Sequence, residues 1–279
     1  MRVRNHRLLD DTGNPVSFVE SPNRGGVLNP RFLVMHFTAG ASAASSIDHL
    51  IRKGAGASAH LVIGRDGATT QLVPFNRVAW HAGRSRWQGI AGLNQHSIGI
   101  ELDNAGELTD TPAGWTSWFG RIYAEDDVVI AAHKHDGVET GWQCYPEAQI
   151  MAALAVSEAL FAHYGLEDVL GHDDIAPDRK RDPGPAFPLE RFAGRLRGRA
   201  EDDFPIYETI ARLNVREGPG TGFAVLPESP LAPGTRLTVE TRDASWCFVD
   251  ILDAAGTPVA TGWVHGNYIR RLPAAGWTG

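Results

Sequence analysis

The sequence has only two cysteines, Cys144 and Cys247, and they lie on opposite sides of the domain boundary drawn below. That argues against a disulfide framework, and no CxxC pair exists to hold a metal. Two packed thiols are the simpler reading. No apolar run reaches the ~18 residues of a membrane-spanning helix. The N-terminus, MRVRNHRLLDDTGNPV, does not lead into an apolar stretch of signal-peptide length. The expectation is a chain made and kept in the cytoplasm unless a non-classical route releases it for action on the cell wall.

Positive charge is scarce as well. The net charge is −7; residues 201–279 carry 6 Arg against 10 Asp and Glu, a net of −4, which leaves −3 for residues 1–200. Neither part is basic, which argues against nucleic acid or anionic lipid as a partner bound through phosphate charge. Lysine is scarcest: Lys53, Lys134 and Lys180 are the only lysines among 26 basic residues.

What is present is an ordinary globular composition, 43% hydrophobic and 21% charged, over 279 residues. That length predicts two domains, each large enough to bury a core without staples. Residues 1–30 are polar and turn-rich and read as an irregular lead-in. Phe32 to Phe37 is a short apolar run that fits a buried strand. Ser42 or Ser45 can cap a helix running to Lys53, with Ile47, Leu50 and Ile51 on its apolar face. Two strand-like runs, His60 to Ile63 and Thr69 to Val73, flank Arg65-Asp66-Gly67, a hairpin signal. Ser97 to Leu102 is a further strand.

Residues 103–145 read as an insertion rich in Gly, Trp and charge, with one strand-like piece at Val128 to Ala132. Pro146 to Tyr164 is the clearest helix, with proline in its first turn and an apolar stripe at Ile150, Leu154 and Phe161. A Pro/Gly-rich loop follows from Gly171, then a short basic helix ending near Arg199. Glu201-Asp202-Asp203-Phe204-Pro205 reads as a linker, because beyond it the pattern changes to short β-rich runs between Gly and Pro turns. The domains are therefore drawn at 1–200 and 206–279.

Chemistry concentrates in GHDDIAPDRKRDPGPAF, residues 171–187. His172, Lys180 and Asp182 fall together on a stretch too proline-rich for a helix. A histidine and a carboxylate on a rigid loop can present nitrogen and oxygen to one Zn²⁺. His36, at the end of the Phe32–Phe37 strand, is the candidate third ligand; a hydrogen-bonded core histidine is the alternative. Two histidines and a carboxylate leave one position open for water, as a catalytic zinc requires. In SIGIEL, Ile98, Ile100 and Leu102 share one face and Ser97, Gly99 and Glu101 the other. Glu101 is then either a general base beside the site or a half-exposed surface glutamate. Lys180 offers a compact, movable cation for a developing oxyanion.

The blocks FLVMHFTAG, SAHLVIGRDG, QLVPFNRVAWHAG, NQHSIGIEL and GHDDIAPDRKRDPGPAF, in that order, resemble the type-2 N-acetylmuramoyl-L-alanine amidases. These are related in fold to phage lysozyme-type amidases and animal peptidoglycan recognition proteins. The resemblance implies an α/β fold, a mixed central sheet flanked by helices with a zinc groove on one face. It implies zinc held by His36, His172 and Asp182, with Glu101 and Lys180 as the catalytic acid and lysine. It puts Trp80, His81 and Asn94 along the substrate groove, where Trp80 either stacks or packs. His60 also matches a motif position, with a structural role expected from strand burial. The insertion 103–145 departs from the family pattern, and His133 and His135 within it are taken as solvated strand-end histidines.

Residues 207–272 resemble a bacterial SH3-like domain, through Asn214-Val215-Arg216, Gly218-Pro219, Trp246, Gly262-Trp263-Val264 and Tyr268. The resemblance implies a small all-β barrel whose partner is the cell wall, or which only packs on the enzyme. Together the two resemblances imply hydrolysis of the bond between N-acetylmuramic acid and L-alanine in peptidoglycan or muropeptides. The alternatives are a non-catalytic peptidoglycan-binding protein and, within the enzyme class, a cytosolic amidase recycling anhydro-muropeptides.

Overall fold

The computed structural model describes residues 1–196, 206–243 and 245–272. The chain divides into two compact units, residues 1–189 and 190–279. The expected linker at 201–205, like the end of the basic helix near Arg199, lies outside the described residues.

The first unit is built on a six-stranded sheet. In chain order its strands are β1 (Ser17–Phe18), β2 (Phe32–Phe37), β3 (Leu61–Ile63), β4 (Thr69–Gln71), β5 (Ser97–Leu102) and, after the inserted segment, Asp168–Gly171. The inserted segment contributes β6 (Glu107–Thr111), β7 (Gly114–Thr116), β8 (Ile122–Tyr123), β9 (Val128–Ala132) and β10 (Glu139–Gln143), so Asp168–Gly171 is β11. Across the central sheet the order is β11-β2-β5-β3-β4-β1. The β11, β2, β5 and β3 strands run parallel, β3 and β4 form the antiparallel hairpin, and β1 joins β4 in parallel. The lead-in is thus less irregular than its composition suggests: Ser17 and Phe18 close the sheet, and Arg2–Arg4 pairs with Arg7–Leu9.

Local signals set the helices. In α1 (Ala43–Leu50), Ser42 accepts from the Ser45 N–H while the Ser45 side chain reaches back to the Ser42 N–H. The helix ends at Leu50, short of Lys53. In α2 (Glu147–Tyr164), Pro146 is the N-cap and Gly165 stops the helix in the left-handed region at φ +62°. The hairpin turns at Gly67, φ +82°, where Asp66 Oδ1 accepts the Ala68 N–H at 3.0 Å.

Strands β2 and β5 are buried along almost their whole length because both faces are covered, as parallel strands require. Strand β5 is apolar at Ile98, Ile100 and Leu102, and its other face carries Ser97, Gly99 and Glu101. One apolar cluster gathers Phe32, Val34, Ala82, Leu93, Leu170 and Ile175; another gathers Leu50, Ala59, Val62, Leu72, Val73 and Ala79. Full burial of each Val, Leu or Phe contributes about 1.5–3 kcal/mol. The insertion folds as its own five-stranded antiparallel sheet, order β8-β7-β6-β10-β9, over Ala105, Leu108, Tyr123 and Val128. The expected piece at Val128–Ala132 is β9; the other four strands lack its apolar run.

The second unit contains α4 (Leu189–Leu196, its first residue closing the first unit) and five strands, β12 (Ile206–Thr209), β13 (Arg236–Asp243), β14 (Trp246–Leu252), β15 (Pro258–His265) and β16 (Ile269–Arg271). All neighbours are antiparallel, in the order β15-β14-β13-β12-β16. Val215, Leu237, Val249 and Val264 are fully buried at its centre. Within this unit Arg191 on α4 is paired with Glu240 and Asp250.

Candidate metal centre and active site

The parallel register places the reactive side chains at one edge of the sheet. Glu101 on β5 is level with His36 on β2, one residue before each strand ends. On the other side of β2, β11 ends at Gly171, and His172 follows directly in α3 (His172–Ile175), a single helical turn inside a loop expected to hold none. Asp174 Oδ2 accepts the Gly171 N–H at 2.7 Å and starts that turn. A side chain at position 171 would put its Cβ 2.9 Å from Pro183 Cδ, so the glycine lets the Asp182–Pro183 segment fold back over α3. The carboxyl edge of parallel strands is where open α/β sheets place their ligands.

His36 Nδ1, His172 Nδ1 and Asp182 Oδ2 form a triangle 2.9 Å on each side, fully buried. Among the described residues it is the one His, Cys, Asp and Glu group able to hold a metal ion. The partners of the remaining ring nitrogens fix which lone pairs face inward. His172 Nε2–H donates to the Ala82 carbonyl at 3.2 Å, leaving Nδ1 bare. His81 Nε2–H donates to the Ser97 carbonyl at 3.3 Å, so His81 Nδ1 accepts from His36 Nε2–H at 3.0 Å and His36 Nδ1 is bare too. Two bare imidazole nitrogens and a carboxylate oxygen with no proton between them suit a cation. Tetrahedral zinc with bonds of ~2.0–2.2 Å holds its donors ~3.3 Å apart, a few tenths wider than this triangle. The residues therefore fit zinc.

Electrostatics keep these groups in the ligating form. Burial, with the neighbouring His172 adding, takes His36 down to about 4 against the pull of Asp182. Burial holds His81 well below the usual histidine range. Both are neutral at pH 7, the form that binds metal. Glu101 is half-buried, but its Oε2 is enclosed and has no hydrogen-bond partner among the described residues. Burial, then the charge of Asp182, raises its pKa well above the carboxylate norm, and Lys180 pulls the other way. The charge of Lys180 also acts on His36, as the smallest of the causes that set its pKa.

Of the expected groove residues, Trp80 is at the surface, 38% exposed. His81 is buried behind His36, with its ring against the backbone of Gly99. Asn94 Oδ1 accepts the backbone N–H groups of His81 and Ala82 at 3.0 and 2.7 Å, which locks the turn carrying His81. His60 is buried with both ring nitrogens used: Nδ1 accepts from Gly99 N–H and Nε2–H donates to the Arg77 carbonyl.

Three supports escaped the sequence. Tyr145 donates to the Pro183 carbonyl at 2.8 Å, beside Asp182. Arg179 donates to the Ala82 and Arg84 carbonyls at 2.6 and 2.8 Å, tying the two loops that flank His172. The third corrects the expectation of solvated strand-end histidines. His133 is buried and its Nε2 lies 3.1 Å from Asp173 Oδ2, while the exposed His135 reaches the Asp173 carbonyl at 2.9 Å. Lys134 completes this arm with ion pairs to Asp173 at 2.8 Å and Asp174 at 2.5 Å. The insertion therefore grips the turn that carries His172. Only the run of two acids after His172 and of His-Lys-His in the insertion hinted at this pairing.

A buried His-His-Asp cluster able to hold a metal ion stands at the carboxyl edge of a mixed sheet, with a desolvated glutamate beside it. Residues 26–185 match the family described as N-acetylmuramoyl-L-alanine amidase, and the chain belongs to that family. The chain is similar to the 1,6-anhydro-N-acetylmuramyl-L-alanine amidase AmpD of Escherichia coli K12, 40% identical over 137 residues, 48% of this chain and 56% of the relative. It is similar to the N-acetylmuramoyl-L-alanine amidase AmiD of the same organism, 38% identical over 125 residues, 44% of this chain and 36% of the relative. The match thus spans about half the length of the AmpD sequence. A crystal structure of a selenomethionine derivative of AmpD is 30% identical, with TM-score 0.48, covering 70% of this chain and 99% of that one.

Proposed function

We propose that this protein is a zinc-dependent amidase that cleaves the amide between N-acetylmuramic acid and L-alanine in peptidoglycan fragments, soluble 1,6-anhydro muropeptides among them. The observation that carries the reading is the triangle of bare donor atoms on His36, His172 and Asp182 with Glu101 beside it. Family membership and the substrate in the AmpD relative's name supply the bond.

Zinc held by the three donors would supply a Lewis acid at the scissile carbonyl and lower the pKa of water. Glu101 takes the proton of the attacking water as the oxygen adds to the lactyl carbonyl carbon. The same carboxyl then returns that proton to the alanine nitrogen as the C–N bond breaks. The Lys180 ammonium stabilises the negative charge that builds on the carbonyl oxygen. His81 holds the His36 ring in the one tautomer that presents Nδ1, and Asp182 contributes the anionic ligand. No side chain becomes covalently attached to substrate.

The second unit is read as an SH3-like module that tethers the enzyme to insoluble wall. Its antiparallel five-strand order and its clustered rings, with His265 5.2 Å from Trp246 and 5.5 Å from Tyr268 between centroids, support that reading. It also lies outside the segment matched by the family, as a targeting addition would.

The test is release of L-alanyl peptide from purified anhydro-muropeptide by zinc-loaded protein, with His36→Ala alongside. Cleavage by wild type and loss of both zinc and cleavage in the variant are expected. A His36→Ala protein with full zinc occupancy and turnover would remove the assignment, and binding without turnover by wild type would make the protein a recognition module.

A further inference from the structure

The insertion reaches the site at a second place, and there it presents an aromatic ring. The β7–β8 hairpin turns through residues 117–120, closed by the Ser117 N–H to the Arg121 carbonyl and the Gly120 N–H to the Ser117 carbonyl, both 2.9 Å. At its tip Trp118 is 77% exposed, the highest exposure of any tryptophan among the described residues. The ring is not loose. Its Nε1–H donates to the Ala39 carbonyl at 2.7 Å, and it meets Phe119 edge-on at 5.7 Å. Phe119 is in turn packed on the insertion's own apolar cluster.

Ala39 is three residues beyond His36, so its Cα lies within about 11 Å of that of the ligand. The loop bearing it is pinned: the Thr38 N–H donates to the Leu102 carbonyl at 3.0 Å, and the Gly40 N–H donates to Thr38 Oγ1 at 3.3 Å. Ala39 itself sits at φ +48°, which turns the loop at the point where Trp118 meets it. Trp118 is thus fastened to the segment that leaves β2 at the edge where His36 and Glu101 stand.

Stability does not call for this arrangement, since a large apolar ring left in water gains nothing from burial. A fixed ring with few torsions free does suit binding, because little entropy is lost when a ligand covers it. The chemistry of the free face narrows the ligand. The one polar atom of the indole is already used on Ala39, so what remains is a π face with no hydrogen-bond donor. Such a face takes the C–H face of a pyranose ring and offers nothing to a carboxylate of a peptide. It can also attract an ammonium, and the ring-less substrate in the experiment below separates that contact from sugar stacking.

We propose that Trp118 is a specificity-determining residue that stacks on the sugar ring of the muramoyl substrate, so that the insertion forms the sugar-side wall of the site. The proposal rests on the amidase reading given above. Trp118 makes no contact with the reacting atoms; it holds the sugar while the zinc-bearing edge faces the amide.

The experiment compares two substrates with the same scissile amide: 1,6-anhydro-N-acetylmuramoyl-tripeptide, and D-lactoyl-tripeptide, which lacks the ring. The readout is the ratio of kcat/KM on the first to that on the second. Trp118→Ala should lower this ratio about 3- to 10-fold, through KM for the sugar substrate, as expected for loss of one aromatic stacking contact. Trp118→Phe, which keeps a ring but cannot donate to Ala39, should retain most of the ratio. An unchanged ratio in Trp118→Ala overturns the proposal, as does an equal fall on both substrates, which would mean the residue acts through the His36 loop. A Phe variant as impaired as the Ala variant overturns it too. If wild type cleaves neither substrate, the amidase reading fails, and equilibrium binding of the anhydro fragment decides the stacking: weaker binding by Trp118→Ala supports it, equal or absent binding overturns it.

Discussion

Gly99→Ala is a one-atom test of how the metal ligands are oriented. Gly99 lies in β5 and has no left-handed backbone, so alanine costs nothing in φ and ψ. What it meets is the His81 ring: the new Cβ would stand 2.5 Å from Nδ1 and 2.8 Å from Cδ2. The ring has nowhere to retreat, with His60 at 5.8 Å on one side and the Ser97 backbone at its far nitrogen. It must swing off the line to His36 Nε2, leaving a buried imidazole N–H unpartnered. That loss costs about 1–3 kcal/mol, and the overpacking costs about 1–3 kcal/mol more. At ~2–4 °C per kcal/mol for a domain of this size, the melting temperature of the metal-free protein should fall by roughly 5–15 °C. Freed to rotate, His36 should also bind zinc about 10- to 100-fold more weakly in competition with a chromophoric chelator. In a His81→Ala background the clash partner is gone, and Gly99→Ala should then add almost nothing to either readout. A single Gly99→Ala variant with native melting and native zinc affinity would refute the account, and so would a full penalty persisting in the double variant.

Glu101→Gln should keep the fold and zinc but lose about 10²- to 10⁴-fold in turnover, because an amide cannot take the water proton; a loss under about tenfold would make Glu101 only a neighbour of the chemistry. The same variant should change stability with a defined sign. A carboxyl whose folded pKa is raised favours the folded state while protonated, and that stability is lost as pH rises from the unfolded value through the folded one. Metal-free Glu101→Gln should therefore melt higher than wild type at alkaline pH and converge with it near pH 4; a constant offset across pH would show that the carboxyl is not desolvated. Asp173→Ala should leave His133 buried without its carboxylate partner and weaken zinc retention during dialysis, whereas unchanged retention would mean the insertion's grip on α3 does not reach His172. A chain ending before Glu190 should keep cleavage of soluble fragment and lose co-sedimentation with insoluble sacculi, and equal loss of both would mean the second unit is needed for the amidase itself.

Several elements were legible because their causes are local. The apolar run Phe32–Phe37, the Asp66-Gly67 turn and the helix between Pro146 and Gly165 each carry their own instruction within a few residues. The types His36, Glu101, His172, Lys180 and Asp182 were visible too, since unusual residues in a proline-rich loop and at strand ends stand out against composition. The insertion was not legible as a sheet: only the apolar run Val128–Ala132 stood out, and the pairing of the other short, mixed-composition strands is set by tertiary contact.

Sequence by itself determined which residues are available and where strands and helices start and stop, since propensity, capping and turn chemistry act over a turn or two. It could not say that Glu101 is level with His36, because that depends on two strands of distant sequence pairing in parallel register. It could not say that His81 stands behind His36, or that His133 is buried against Asp173. Those facts belong to tertiary structure for one physical reason. Burial and hydrogen-bond partnership are properties of what surrounds a side chain, and here the surroundings come from segments 40 or more residues away.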